Sequence, residues 1–215
     1  MTPHLCIPLP VKLAYTAFVA VLVPVYWRDY GPTNFLYFCD VALLLTVVAV
    51  WRESSLLASI ATIGIVVPQT LWMVDFLCEL VGVRLTGMTG YMFDPGLPLF
   101  TRFLSFFHFW LPLFLLWLVR RLGYDRRALV WTTLGAWGLV LVCYFWMPPP
   151  PAPSDQPNLP VNINYVYGFG NERQSWMPQP LYLALMMVVL PAGLYLPAHL
   201  LLRRWKGRGA ESAAA

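Results

Sequence analysis

The sequence predicts an all-α, polytopic integral membrane bundle of about six transmembrane helices with both termini cytoplasmic. Three observations predict it. Of 215 residues, 59% are hydrophobic and only 11% charged, and the mean hydropathy of +0.63 is far from that of an ordinary soluble domain. The apolar residues fall into runs near the ~20 residues that a helix needs to cross a bilayer. The basic residues cluster at the ends of those runs, so the net charge of +4 reads as a topology signal and not as a nucleic-acid footprint.

Lys12 precedes the first run, residues 13–27, which closes at Trp27-Arg28-Asp29-Tyr30. No small-residue cleavage pattern follows, so the run is read as a retained span rather than a signal peptide, with Pro24 bending its last turn. Gly31-Pro32-Thr33-Asn34 makes a turn into the second span, 33–51, which Arg52-Glu53-Ser54-Ser55 closes. The third span, 55–78, is interrupted at Pro68-Gln69 and ends with Trp72, Asp75 and Glu79; the two acids are four apart and share a face.

Residues 79–96 are rich in glycine and turn signals and read as a loop or re-entrant piece. The fourth span, 97–118, carries Arg102, Ser105 and His108 on one face, with Pro112 a turn beyond. Arg120, Arg121, Asp125, Arg126 and Arg127 form a basic turn into the fifth span, 128–147, which Pro148 to Pro151 end. The loop 148–180 begins extended and proline-rich; its aromatic stretch Asn162–Gly170 is expected to pack back onto the bundle. The sixth span, 181–202, leads into a basic tail, 203–215. No internal repeat or second domain is visible.

Six spans place Lys12, Arg52, Arg120 to Arg127 and the basic tail on one side, against Arg28, Arg84, Arg102 and Arg173 on the other. The positive-inside rule then puts both termini in the cytoplasm of a cell membrane, with a bacterial inner membrane as the expected setting. Trp27, Trp51, Trp72 and Trp176 are expected to be interfacial anchors, and the tail basics to set orientation or touch anionic lipid.

Within the second span a thiol and a carboxylate stand side by side, Cys39-Asp40. Ionisable groups inside a span are costly to insert and therefore mark a functional-site hypothesis. The candidate partner is His108. At 1.5 Å per residue, Cys39 lies roughly 9 Å and His108 roughly 15 Å below the start of their spans, compatible with contact. Asp40 points about 100° away around the helix and is placed either to orient His108 or to pair with Arg102. Asn34, Asp40, Gln69, Asp75, Arg102, Ser105, Asn164 and Tyr165 make up the supporting or substrate-binding set, with Asn34, Ser105 or Asn164 as oxyanion donors.

The four cysteines, Cys6, Cys39, Cys78 and Cys143, show no CxxC spacing, so neither a zinc site nor a disulfide framework is indicated. No phosphate-binding loop, haem site or metal cluster is visible, and no cofactor is expected. His4 and His199 are isolated. The bland reading is that Asp40, Arg102, His108, Asp75 and Glu79 form a buried ion network that only fixes helix positions.

Leucines and aromatics leading into Cys39-Asp40-Val41-Ala42, then His108 followed by Pro112-Leu113-Phe114-Leu115-Leu116, then Asn164-Tyr165-Val166-Tyr167 with Pro178, Pro180 and Tyr182, form three short blocks in order. Together they resemble the YwaF-like / transmembrane protein 164 family of six-helix membrane proteins. The chain departs from the pattern at Phe38, where a polar residue is usual, and around His108, which is more aromatic. The resemblance implies a lipid acyltransferase in which Cys39 accepts an acyl group and His108 takes the thiol proton, with membrane phospholipids or acyl chains as partners. Acyl hydrolysis is the variant with water as acceptor.

A second function class is a non-catalytic membrane subunit or assembly factor that binds a partner protein, lipid or pigment. A third, a small carrier with the carboxylates as ion relays, lacks the half-repeat symmetry usual for such folds.

Overall fold

The computed structural model describes residues 7–155, 159–169 and 172–204. His4, Cys6, Gly170 and the tail from Trp205 onward lie outside the described residues. Among the described residues every regular element is helical: α1 (Leu9–Tyr30), α2 (Phe38–Arg52), α3 (Ser55–Leu80), α4 (Leu99–Leu104), α5 (Phe107–Leu122), α6 (Ala128–Trp146), α7 (Gln179–Val189) and α8 (Leu196–Leu202), with short 3₁₀ turns at Pro32–Leu36, Gly90–Phe93 and Ile163–Tyr165. A π-helical segment, Leu190–Tyr195, joins α7 to α8.

Five helical stretches are long and apolar enough to cross a membrane: α1, α3, α4 with α5 (Leu99–Leu122), α6, and α7 through α8 (Gln179–Leu202). Their outer faces carry large apolar side chains in the open, among them Leu113, Val130, Phe145, Val188 and Leu201. A soluble protein does not leave such a belt bare, whereas lipid covers it. The chain is a multi-pass membrane protein.

The bundle centre is a cluster of Tyr15, Val19 and Leu22 from α1, Leu43 and Val50 from α2, Ile65 from α3 and Phe107, Leu111, Leu115 and Leu118 from α5. Ala42 and Ala49 on α2 and Ala58 and Ala61 on α3 join it, and α2 packs along α3. In hydrocarbon, helix association rests on close van der Waals contact, which small residues permit. A second cluster joins α6 to the 163–167 turn, α7 and the π-helical segment through Val140, Ile163, Val166, Leu183 and Leu190.

Polar side chains inside the helices satisfy themselves locally. The hydroxyls of Thr46, Thr62, Thr70 and Thr133 donate to the carbonyls four residues earlier, so none of these four remains unbonded in an apolar setting. The ion pairs among the described residues sit at helix ends or turns: Lys12–Glu53, Arg28–Asp29, Arg84–Glu79 and Arg127–Asp125.

Several expected boundaries move. The helix after Gly31 starts at Phe38, not at residue 33, because Pro32–Leu36 winds as a 3₁₀ turn and Tyr37 is extended (φ −62°, ψ 140°). The resulting α2 has 15 residues, short of a full crossing by itself. The span expected at 97–118 runs to Leu122 and is broken at Ser105-Phe106. There the amides of Ser105, Phe106, His108 and Phe109 bond three residues back, at 3.0–3.1 Å, instead of four. The last span begins at Gln179, and its wide π turn falls where Pro191 cannot donate to a regular ladder.

The tight α2–α3 contact yields a prediction. Ala58→Leu places three further carbons where the residue is fully buried, and overpacking of this kind costs about 1–3 kcal/mol. Thermal unfolding in detergent is expected to show the loss, while Val130→Leu on the exposed face of α6 leaves the midpoint unchanged.

Candidate functional site

The polar groups gather at one end of the bundle, where α1 and α3 finish and α2, α4 and α7 begin. Cys39 is the second residue of α2, so the thiol lies in the helix's first turn, beside the amides that carry the partial positive charge of a helix N-terminus. It is half-buried. Its Sγ donates to Asp40 Oδ2 at 3.7 Å, and Asn34 Nδ2 donates to the same oxygen at 3.3 Å. The second carboxylate oxygen, Oδ1, is buried with no partner.

His108 is also the second residue of its helix. Its Nδ1 lies 2.7 Å from the Ser105 carbonyl. A carbonyl only accepts, so the ring proton is on Nδ1 and the lone pair is on Nε2. The helix break supplies this acceptor, since it leaves the Ser105 carbonyl to serve both the His108 amide and its ring. The imidazole stacks on Trp72 (centroids 4.4 Å, 17° between planes) and lies against Phe107 at 4.1 Å.

No hydrogen bond joins Cys39 to His108 among the described residues; the group in contact with the thiol is Asp40. Asp40 does not pair with Arg102, which donates from Nη1 to the Met92 carbonyl at 3.1 Å while its buried Nε has no partner. Of the three residues expected on one face, Ser105 and His108 meet through the Ser105 carbonyl, and Arg102 braces the 90–93 turn instead. Ser105 Oγ meets the Tyr26 hydroxyl at 2.5 Å and the Thr101 carbonyl at 3.5 Å.

Asn164 is not an oxyanion donor in this arrangement. Its Oδ1 accepts from the Phe38 amide at 2.9 Å, and its Nδ2 donates to the Leu36 carbonyl at 2.8 Å and to Cys143 Sγ at 3.4 Å. Tyr165, beside it, lies within electrostatic reach of Tyr37, Tyr91 and Cys39, and burial holds its phenol well above the ordinary value. Tyr91 is raised likewise, first by burial, with Tyr30, Cys39 and Asp40 adding to the effect and a bond to Ser105 opposing it.

Asp75 belongs to the loop rather than to the thiol. One oxygen accepts from the Thr86 amide at 2.7 Å, the other from the Thr89 amide at 3.1 Å and the Thr89 hydroxyl at 2.7 Å, and Glu79 meets that hydroxyl at 3.0 Å. The two acids share a face as expected, and together they staple the 86–89 turn over the end of α3. Gln69 is buried in α3 with both amide atoms unpartnered.

Residue type alone assigns the tryptophans to the interface. Trp27 and Trp176 are more than half exposed, as such anchors are, but Trp72 is 6% exposed and carries the histidine. Its spacing of three from both Gln69 and Asp75, two polar residues of the same inward face, is the signal in the sequence that points to this. Tyr26, Tyr30, Tyr37 and Tyr91 escape sequence reasoning because tyrosines in apolar sequence look alike whether they meet lipid headgroups or a carboxylate. Among the described residues no three His, Cys, Asp or Glu side chains converge as metal ligands. Comparison with known protein families, curated proteins and solved structures returns no match.

These partners define two measurable outcomes. Asp75→Asn replaces one acceptor oxygen by an NH2 donor that faces other donors, and is expected to speed hydrogen exchange at the Thr86 and Thr89 amides about tenfold, from the loss of ~1–2 kcal/mol of charge-assisted bonding. Gln69→Leu removes an unsatisfied buried amide and is expected to raise stability by about 1 kcal/mol in thermal unfolding; destabilisation instead would mean that the amide has a ligand.

Proposed function

We propose that the chain is a six-span membrane protein that transfers acyl groups between membrane lipids, or hydrolyses them, through Cys39. The observation that carries this reading is the half-buried thiol in the first turn of α2, in contact with a carboxylate and ringed by tyrosines at the end of an apolar bundle. The sixth crossing is α2 together with the 3₁₀ turn before it. Lys12, Arg52, Arg120 to Arg127 and Arg203-Arg204 mark the cytoplasmic side, which leaves the thiol in the outer-leaflet half of a bacterial inner membrane. The resemblance to YwaF-like proteins in the blocks around Cys39, His108 and Asn164 is in keeping with this reading.

In the first step Cys39 Sγ attacks the carbonyl carbon of a lipid ester while its proton passes to Asp40 Oδ2. The carbon–sulfur bond forms, the ester carbon–oxygen bond breaks, and the leaving alkoxide takes the proton back from Asp40. In the second step a lysolipid hydroxyl or water attacks the thioester, gives up its proton and frees the thiol. Nε2 of His108, the ring nitrogen with the lone pair, takes that proton and returns it to the departing thiolate. Asn34 holds the carboxylate in place.

A second reading, a non-catalytic subunit that binds a partner protein or lipid, draws on the packing of His108 between Trp72 and Phe107 with no bond to the thiol. One experiment separates the two. Protein incubated with mixed phospholipids is expected to gain an acyl mass on Cys39 that hydroxylamine removes; Cys39→Ser abolishes it, and Asp40→Asn slows it about 10²-fold or more, the scale of a lost general base. No adduct on folded wild-type protein, with a co-purifying partner, establishes the second reading instead.

A further inference from the structure

We propose that Asn164 is a positioning residue for Cys39: its side-chain amide caps α2 from the 162–168 turn, far away in sequence, and holds the thiol-bearing first turn in register. The inference rests on the reading of Cys39 as the reactive group.

The first amides of a helix have no acceptor within it, and a residue at the N-cap ordinarily supplies one. Here the N-cap is Tyr37, whose side chain makes no capping bond. The Phe38 amide turns to Asn164 Oδ1 at 2.9 Å, while the Leu36 carbonyl, on the far side of Tyr37, accepts from Asn164 Nδ2 at 2.8 Å. One amide thus closes both backbone groups that the extended Tyr37 opens, as a neighbouring strand would. Its other contact, to Cys143 Sγ at 3.4 Å, ties the same junction to α6. With donor and acceptor engaged and 4% of the residue exposed, Asn164 acts on the site through Phe38, the residue next to the thiol.

The turn that presents Asn164 is strained. Asn162, Asn164 and Tyr165 have φ of 51°, 58° and 60°, the left-handed region that a residue with a Cβ such as tyrosine rarely adopts. Strain of this kind persists where the surroundings over-determine it, and its presence points to a use. The surroundings here are explicit. Asn162 bridges Gly168 and Tyr167 at 2.7 and 2.8 Å, Gln179 Nε2 donates to the Val166 carbonyl at 2.7 Å, and the Tyr182 hydroxyl donates to the Tyr165 carbonyl at 3.1 Å. The beginning of α7 therefore fixes the turn, the turn fixes the beginning of α2, and Cys39 follows.

The test reads Cys39 itself by peptide-resolved mass spectrometry of the full chain in detergent, using N-ethylmaleimide labelling and amide hydrogen exchange. Asn164→Gly keeps the backbone free to adopt the left-handed conformation and removes only the side chain. It is expected to speed Cys39 alkylation and exchange at residues 38–41 about tenfold, the effect of losing ~1.4 kcal/mol from a local opening equilibrium, with Cys78 alkylation unchanged. Asn164→Asp, which still accepts from Phe38 but no longer donates to Leu36, is expected to give an intermediate acceleration of both, about threefold. Cys39 labelling within about twofold of wild type in folded Asn164→Gly, below the effect of even a weak hydrogen bond, overturns the proposal, as does equal acceleration at Cys78. If the glycine variant does not fold, Asn164→Asp alone decides: its lost bond to Leu36 must still speed exchange at residues 38–41, and no change overturns the proposal. Acyl adducts are scored on the same samples. An Asn164 effect without any adduct on wild-type protein upholds the positioning role and removes the enzyme reading; an adduct without an Asn164 effect does the reverse.

Discussion

Hydrocarbon cannot solvate a backbone amide or carbonyl, and the bond pair that Asn164 makes across Tyr37 is where this structure meets that constraint most directly. A helix that simply continued through residues 33–52 would close its own ladder. Here the chain winds as a 3₁₀ turn, extends for one residue and starts again, so two groups must be served from elsewhere. The partner chosen decides what else is fixed: the 162–168 turn against α6, the start of α7 against that turn, and Cys39 at the very start of its helix. The same constraint explains the threonines that bond back within their helices and the three donors gathered on Asp75.

Charge is distributed to match. The four ion pairs among the described residues lie at helix ends and turns, where water and headgroups lower the cost of ionisation. Asp40 joins none of them, and His108 has a carbonyl and two aromatic faces for company. Asp40 Oδ1, Arg102 Nε and the Tyr30 hydroxyl are buried without partners. Native interiors leave few such atoms, and three from this one end of the bundle set it apart from the apolar centre formed by Leu43, Leu111 and Leu115.

Much of the architecture is legible in the sequence. The apolar runs mark the five long helical stretches within a few residues, because hydropathy reports what lipid requires of a surface. The pairing of Asp75 with Glu79 follows from helical period alone. What stays hidden depends on partners distant in sequence. Nothing near residue 38 announces that α2 waits for an asparagine at 164, and the break at Ser105-Phe106 involves residues that are ordinary within a helix. Depth counted from residue 33 sets Cys39 beside His108, but α2 begins only at Phe38, and the group that meets the thiol is Asp40. Residue type assigns Trp72 to the interface, whereas its place is set by the face it shares with Gln69.

The shortness of α2 has a consequence for any crossing built on it. Fifteen residues cover about 22 Å, against a hydrocarbon thickness of about 30 Å. A crossing made here needs the 3₁₀ turn Pro32–Leu36 and the extended Tyr37 as well, so part of its length in the hydrocarbon is backbone that no α-helical ladder pairs.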